Sequence, residues 1–206
     1  MFITFEGGEG TGKSVQASLL KDFLISSGVD VVLTREPGGT TFAEEIRKIL
    51  LTGEPEKISP LTEALMYLVA RTDHWERKIK PALNAGKVVI SDRFQDSSVV
   101  YQGLCKGVDM NVLNAVYSSI TNNQMPDRTY LIDLEPEIGL ARSLSRNNSE
   151  TRFEKMDISF HRKVREGFLE LSHKYADRYL VLDGSLSIPE IQELIRDDLS
   201  NFYQLR

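Results

Sequence analysis

Hydrophobic residues along the chain follow two alternating patterns. Short runs rich in β-branched and aromatic residues are followed by segments in which apolar residues recur every three or four positions. The runs are typical of buried strands, and the second spacing is typical of helices with one buried face. The predicted strands are Phe2–Phe5, Val29–Thr34, Val88–Ser91, Thr129–Leu134 and Tyr179–Leu182.

Helical patterns fill the intervals between these strands, and several end just before a glycine, which suits the left-handed position after a helix. Strand–helix alternation with short connections favours a parallel sheet covered by helices on both faces. The predicted fold is therefore α/β, with a parallel five-stranded sheet flanked by helices in three layers. The predicted helices are Val15–Ser27, Thr41–Leu51, 60–85, Met110–Asn122, Pro136–Arg146, Ile158–Ala176 and Pro189–Phe202.

Length and composition limit the classes of protein to consider. The chain has 206 residues, of which 41% are hydrophobic and 27% charged, and we expect a single domain over residues 1–206. The net charge of -5 argues against nucleic-acid and membrane-surface partners. Cys105 is the only cysteine, and the first residues lack the basic and apolar regions of a signal peptide. A cytoplasmic location is therefore predicted.

A glycine-rich loop joins the first predicted strand to the first predicted helix. Its sequence, GGEGTGKS, fits the phosphate-loop pattern G-x-x-x-x-G-K-[ST] in the strand-to-helix context that the pattern requires. Backbone N–H groups of such a loop surround phosphate oxygens, the lysine reaches the β and γ phosphates, and the hydroxyl ligates Mg²⁺. The residues predicted to bind ATP are Gly7, Gly8, Glu9, Gly10, Thr11, Gly12, Lys13 and Ser14.

Charged residues at strand ends indicate an acceptor for the phosphoryl group. The GTPase motifs N-K-x-D and D-x-x-G are absent. Arg35 closes the second predicted strand, and Arg93 follows the third. Parallel strands direct both arginines to one edge of the sheet, where an acceptor phosphate needs cations. Asp92 and Asp133 compete as the acidic residue for Mg²⁺. Asp92 is preferred because an arginine follows it and because a loop, rather than a helix, is expected next.

One polar stretch, RNNSETRFE, lies between two predicted helices. It holds Arg146 and Arg152, and Phe153 is its only large apolar residue. We expect a mobile lid over about residues 146–155 that closes on the phosphates, because arginine suits phosphate oxygens.

Longer motifs carry a resemblance to a known family. They are FEGGEGTGKS, TREPGGT, EALMYLVAR, IKPAL followed by VVISDRF, SSVVYQG, and PDRTYLIDLEPEIGL. Aspartate, arginine and an aromatic residue followed by S-x-x-x-Y-Q-G form a far more specific signature than the phosphate loop. With these motifs the chain resembles bacterial thymidylate kinases along nearly its whole length.

The resemblance implies a site for dTMP. Glu9 would meet the 3′-hydroxyl of the sugar. Arg35, Glu36 and Arg93 would surround the acceptor phosphate and its metal. The full set implied to bind dTMP is Glu9, Arg35, Glu36, Tyr67, Arg71, Arg93, Ser98, Tyr101 and Gln102.

The same resemblance implies how the nucleoside is held. Tyr67, at a position where the family usually has Phe, would stack on thymine, and Arg71 would bond the base oxygen O4. Ser98 and Gln102 would complete the base pocket. Tyr101 would lie under the deoxyribose.

The activity implied is phosphorylation of dTMP to dTDP by ATP, with Mg²⁺ held by Ser14 and Asp92 and with a homodimer packed through helices. The residues predicted to be catalytic are Lys13, Arg93, Arg146 and Arg152. Two alternatives stay open: another nucleoside monophosphate or deoxynucleoside kinase, and an ATP-binding switch module without a phosphate acceptor.

Overall fold

The computed structural model describes residues 1–145 and 150–203. Within these ranges all five predicted strands are present, with ends that differ from the prediction by two residues at most. The strands are β1 (Phe2–Glu6), β2 (Val31–Arg35), β3 (Val88–Asp92), β4 (Arg128–Asp133) and β5 (Tyr179–Asp183).

The strands form one parallel sheet in the order β2-β3-β1-β4-β5. The central strand β1 pairs with β3 on one side and with β4 on the other, so that Phe5 lies opposite Asp92 and Tyr130. The carboxyl ends of three neighbouring strands therefore meet at one edge, where the phosphate loop leaves β1. The predicted parallel five-stranded sheet is confirmed.

Helices cover both faces of the sheet. In the described ranges no helix has the length and apolar character needed to cross a membrane. The helices are α1 (Lys13–Ser26), α2 (Thr41–Leu51), α3 (Pro60–His74), α4 (Lys80–Asn84), α5 (Gln95–Ser98), α6 (Met110–Thr121), α7 (Pro136–Leu144), α8 (Ile158–Lys174) and α9 (Ile188–Tyr203).

Two helical regions differ from the prediction. The expected long helix over 60–85 consists of α3 and α4 joined by a wider π-helical turn at Trp75–Ile79. The prediction that a loop follows Asp92 is wrong, because only two residues separate β3 from α5. Helix α5 continues as a π-helical segment, Val99–Cys105. Every residue of α5 is buried, so the segment lacks the exposed polar face that makes a helix visible in sequence.

Alternating residues of β1 supply the two halves of the core. Ile3 and Phe5 pack under α1 and α9, while Phe2 packs with Trp75 and Phe94 on the opposite face. Burying such an apolar side chain contributes about 1.5–3 kcal/mol. This double burial fixes β1 at the centre of the sheet and with it the start of the phosphate loop.

Candidate active site

The loop after β1 turns sharply toward α1. Gly7, Gly10 and Gly12 have φ angles of 137°, 69° and 102°, which side chains rarely adopt. A Cβ on Gly10 would lie 1.8 Å from the carbonyl oxygen of Gly139 in α7, so the loop and that helix are in backbone contact. The result is a turn of backbone N–H groups at the start of α1, the arrangement that holds phosphate.

Lys13 lies against this loop. It is buried, and its Nζ donates to the carbonyl of Gly8 at 2.5 Å and to Thr11 Oγ1 at 3.4 Å. Burial, and then the charge of Arg93, lower the pKa of Lys13 to about 8. The loop therefore holds the ammonium group in place before any phosphate arrives.

Ser14 and Asp92 lie together beside the loop. The hydroxyl of Ser14 donates to Oδ2 of Asp92. The rival carboxylate, Asp133, is engaged elsewhere, because its two oxygens accept from Arg165 at 2.7 and 2.9 Å. Of the two aspartates, Asp92 is the one in contact with the phosphate-loop hydroxyl.

Arg93 is held tightly at the carboxyl end of β3. Its φ of 72° is unusual for a residue with a side chain, and its N–H donates to the carbonyl of Phe5 at 2.9 Å. The guanidinium donates to the carbonyl of Gly7 at 2.9 Å and to Ser97 at 3.1 Å. It also pairs with Glu9 at 3.0 Å. A cation is thus fixed between the phosphate loop and the next helix.

Glu9 and Tyr101 complete this cluster. Oε1 of Glu9 accepts from the Tyr101 hydroxyl at 2.8 Å, and the Arg93 guanidinium lies 5.1 Å from the centre of the Tyr101 ring. Burial alone would raise the pKa of Glu9, but the charges of Arg93 and Lys13 lower it to about 2. Glu9 is therefore a carboxylate anion at neutral pH.

A second buried ion pair joins β2 to α3. Oε2 of Glu36 accepts from Nε of Arg71 at 2.6 Å, and Oε1 lies 3.0 Å from Nδ1 of His74. Thr34 Oγ1 lies 2.6 Å from the other ring nitrogen of His74. Burial would raise the pKa of Glu36, but the charge of Arg71 and the hydrogen bond from His74 lower it below its ordinary value.

Most of the Arg71 donors are already used. Nη1 donates to Gln95 Oε1 at 2.8 Å and to Ser98 at 3.0 Å, and Nη2 donates to the carbonyl of Phe94 at 3.0 Å. With the bond from Nε to Glu36, four of the five N–H groups of the guanidinium are engaged. Among the described residues, one N–H of Nη2 has no acceptor and is left for a ligand.

A single cleft brings most of the predicted residues together at the carboxyl edge of the sheet. Arg35 is the most open cation of the acceptor side, with its side chain 52% exposed and paired with Glu44 at 3.0 Å. Gly7 and Gly8 line a smaller cavity beneath the loop. The predicted residues that line the cleft are Glu9, Gly10, Thr11, Gly12, Lys13, Ser14, Arg35, Glu36, Tyr67, Arg71, Asp92, Arg93, Ser98, Tyr101 and Gln102.

The chain is similar to known proteins over nearly its whole length. A sequence model of the family described as "Thymidylate kinase" matches residues 5–195 of the chain. The chain belongs to the thymidylate kinase family. A thymidylate kinase of Ruegeria pomeroyi is 47% identical over 191 residues, which are 93% of this chain and 90% of that protein. A thymidylate kinase of Sulfurihydrogenibium sp. is 42% identical over 198 residues, with 96% of each chain covered.

A solved structure agrees with these matches. The crystal structure of thymidylate kinase from Ehrlichia chaffeensis is similar to this chain with a TM-score of 0.78 and 33% identity, covering 97% of this chain and 98% of that one. The predicted resemblance, the phosphate-loop fold and the predicted activity of a kinase that converts dTMP to dTDP are confirmed. The alternatives of another nucleotide kinase or a switch module are not favoured.

Of the two arginines predicted for the mobile lid, Arg152 is described, and it lies away from the phosphate loop. The Arg152 side chain is 1% exposed; it pairs with Glu63 at 2.6 Å and donates to the carbonyls of Leu50, Glu54 and Pro55. It does not line the cleft, because these acceptors draw it away from the phosphate loop. Phe153 is buried, with its ring centre 5.4 Å from that of Tyr101. Arg146 lies outside the described residues.

Several polar residues of the site are not apparent from the phosphate-loop pattern. Glu6 is buried at the end of β1 and accepts from the N–H of Phe94 at 2.8 Å and from Ser97 at 2.6 Å. Glu150 forms a two-point pair with Arg47 at 2.8 and 2.7 Å. Glu63 lies four residues before Tyr67 and eight before Arg71, on one face of α3. That spacing is the signal that could have identified Glu63.

Proposed function

We propose that this enzyme transfers the γ-phosphoryl group of ATP in line to an oxygen of the dTMP 5′-phosphate within the cleft. A bond forms between an oxygen of the dTMP phosphate and the γ-phosphorus of ATP, while the bond from that phosphorus to the ADP oxygen breaks. The products dTDP and ADP then leave. The observation that carries the proposal is one continuous cleft from the phosphate loop to the Arg71 pocket. The acceptor oxygen is already an anion, so the protein's work is positioning and neutralising charge.

At the donor end we assign the triphosphate to the loop from Gly7 to Ser14. Lys13 is held by Gly8 and Thr11 and meets the β and γ phosphates with little rearrangement. Its ammonium group neutralises charge that moves to the leaving ADP oxygen.

We assign Mg²⁺ to Ser14 and Asp92. A hydroxyl and a carboxylate in direct contact beside the phosphate loop are the hard oxygen donors that this ion takes, alongside phosphate oxygens and waters. Mg²⁺ supplies charge neutralisation between the phosphates when it is bound. The protein residues orient this site through β3, which carries Asp92, and α1, which carries Ser14.

At the acceptor end, Arg35 and Arg93 bind the 5′-phosphate, with Glu36 holding the neighbouring Arg71. Arg35 is exposed enough to turn toward a ligand, whereas Arg93 is fixed by Gly7 and Ser97. The pair provides one adaptable and one preorganised cation.

The nucleoside is bound farther along the cleft. Both described side-chain bonds of Glu9 end at Oε1, and we assign Oε2 to the 3′-hydroxyl of the sugar. The Tyr101 ring, buried among aromatic residues, lies under the deoxyribose. Tyr67 stacks on thymine, and Arg71 offers its remaining N–H to O4. Ser98 and Gln102 complete the pocket.

The chain acts as one kinase domain in which residues 146–155 form the lid. The contacts of Arg152 favour a role as the anchor of this segment and not as a group that touches phosphate. Arg146 therefore remains the proposed lid arginine that neutralises the transferred phosphoryl group.

The enzyme is proposed to be a homodimer of the cytoplasm that needs Mg²⁺. On α3, Leu61, Leu65 and Val69 are 51%, 43% and 49% exposed and lie four residues apart on one face. Such a stripe matches a copy of itself across a twofold axis. The free thiol of Cys105 suits a reducing compartment.

A coupled assay of ADP release tests the proposed reaction. With ATP and Mg²⁺ present, release should be fast with dTMP and slow without an added nucleotide or with thymidine, which lacks the acceptor phosphate. Equal rates with and without dTMP would show hydrolysis instead of transfer. Faster turnover with another monophosphate would point to a different substrate.

A further inference from the structure

A buried carboxylate lies behind the base end of the cleft. Glu63 in α3 has no exposed surface and is bound by three side chains from two other segments. Gln102 Nε2 lies 2.9 Å from Oε1 of Glu63, and Lys106 Nζ lies 2.8 and 2.7 Å from its two oxygens. Arg152 Nη1 lies 2.6 Å from Oε2. A carboxylate removed from water is stable only when paired and hydrogen-bonded, and these contacts fix its position.

The contact with Glu63 determines which way the Gln102 amide faces. A carboxylate anion accepts hydrogen bonds and donates none, and the two other partners of Glu63 are cations. The amide group beside it must therefore be the NH₂ and not the carbonyl, although the two have similar shapes. Gln102 lines the cleft. With its NH₂ group bound to Glu63, the end of the amide left to meet a ligand is the oxygen, an acceptor.

An acceptor at this position distinguishes pyrimidine bases. Thymine has an N–H at ring position 3, which can donate to the amide oxygen. Cytosine has an unprotonated nitrogen there, so two acceptors would face each other and both would lose their hydrogen bonds. A site built to receive a donor rejects an analogue that lacks it, because buried polar groups are left unpaired.

We propose that Glu63 is a positioning residue for base selection. By holding the NH₂ group of Gln102, it keeps the amide oxygen turned toward the base and so favours thymine over cytosine. The inference rests on the proposed place of Gln102 in the dTMP pocket. It adds Glu63, which is not among the described residues that line the cleft, to those that determine base selection.

The other partners of Glu63 have a different task. Lys106 and Arg152 balance the charge of the carboxylate, and neither lines the cleft among the described residues. Removing one of them leaves the bond between Glu63 and Gln102 in place. This difference separates an effect on base selection from general damage to the cluster.

The variant Glu63→Gln tests the proposal. Its amide can donate as well as accept, so the Gln102 amide is free to turn over. Dissociation constants for dTMP and dCMP are measured by isothermal titration, and urea unfolding checks the fold. The ratio of the dCMP constant to the dTMP constant should fall by about tenfold, the value of one hydrogen bond. A folded variant whose ratio stays within about twofold of the parent overturns the proposal.

Three further variants control for misfolding and for general damage. Glu63→Asp keeps the charge but withdraws the carboxylate from Gln102, and its ratio should also fall. In Gln102→Met the ratio should fall even though Glu63 is intact, and adding Glu63→Gln to it should cause no further change. Lys106→Met should keep the parental ratio. A fall in Lys106→Met as large as in Glu63→Gln, or a parental ratio in Glu63→Asp or Gln102→Met, also overturns the proposal.

The parent protein separates this inference from the proposed function. If it releases no ADP in response to dTMP, the proposed reaction fails. If it uses dTMP while Glu63→Gln keeps the parental ratio, the role of Glu63 alone fails.

Discussion

Lys13 is held by the same loop that is proposed to bind phosphate. Its ammonium group donates to Gly8 and Thr11, so the charge is in position without a ligand. Preorganised charge of this kind acts on the transition state without a cost of reorganisation during the reaction.

Lys13→Ala should lower kcat by about a thousandfold, the scale found when one preorganised charge-stabilising group is removed. The fold should persist, because the described bonds of the Lys13 ammonium group are to the loop itself, at Gly8 and Thr11. Steady-state kinetics at saturating ATP and dTMP, with circular dichroism, measure both effects. Lys21→Ala, in the same helix, is the matched control and should keep the parental kcat. Near-parental turnover in folded Lys13→Ala would exclude the lysine from the mechanism.

Glu6 is a buried acid that the phosphate-loop pattern does not include. Burial, and then the charge of Asp96, raise its pKa from 4.5 to about 8. Its bonds to Phe94 and Ser97 place it beneath Arg93, since Ser97 also accepts from that guanidinium.

Between about pH 4.5 and pH 8 the folded protein keeps a proton on Glu6 that the unfolded chain releases. The free energy of unfolding should therefore fall as pH rises through this window, by at most about 1.4 kcal/mol per pH unit. Glu6→Gln stays neutral and should lack this loss. Its free energy of unfolding should equal that of the parent at low pH and should exceed it increasingly as pH rises. Urea unfolding from pH 5 to 8.5 measures the difference. Parallel profiles would contradict the raised pKa.

At the scale of elements, the sequence predicts best where local pattern and burial agree. The strands and α2 follow from their periodicity, and the phosphate loop follows from its spacing. The helical segment after Asp92 does not, because its burial is created by α8 and α3, which are distant in sequence. The burial of Arg152 cannot be predicted for the same reason: its partner Glu63 lies 89 positions earlier, and only the fold brings them together.

Arg152→Met should destabilise the fold more than it impairs the chemical step. Breaking a buried ion pair costs about 3–5 kcal/mol, and the loss here should lie toward the lower end because Lys106 still pairs with Glu63. Urea unfolding should show this loss, while kcat of the folded protein should remain within about tenfold of the parent, well short of the 10³ or more of a phosphate-binding arginine. Lys155→Met is the control, because its pair with Glu54 is at the surface and is worth less than about 1 kcal/mol. A thousandfold loss of kcat at parental stability would show instead that Arg152 contacts the phosphates during the reaction.

At the scale of the whole molecule, α3 has two faces with different assignments. One carries Tyr67 and Arg71 toward the cleft, and the other carries the exposed stripe of Leu61, Leu65 and Val69. A dimer formed through the stripe would therefore support the wall of the proposed nucleoside pocket from behind.

Leu65→Glu should convert the proposed dimer to a monomer, because it places a charge at the centre of the apolar stripe. Sedimentation equilibrium should give twice the chain mass of 23.3 kDa for the parent and that mass for the variant. The affinity for dTMP should fall with it, since α3 lines the pocket. Leu194→Glu alters an equally exposed leucine on α9 and should remain dimeric. A parent that sediments as a monomer would rule out the proposed assembly.

The backbone contact between Gly10 and Gly139 also restricts how the sequence can vary. A methyl group on Gly10 would meet the carbonyl oxygen of Gly139 at 1.8 Å, and one on Gly139 would meet the carbonyl oxygen of Glu9 at 2.3 Å. Contacts between side chains can drift because a larger residue on one side is offset by a smaller one on the other. Here the obstructing atoms belong to the backbone, which no substitution removes. No second substitution can therefore make room for a side chain at either position. Gly139, far outside the phosphate-loop pattern, is therefore as restricted in sequence as the loop itself.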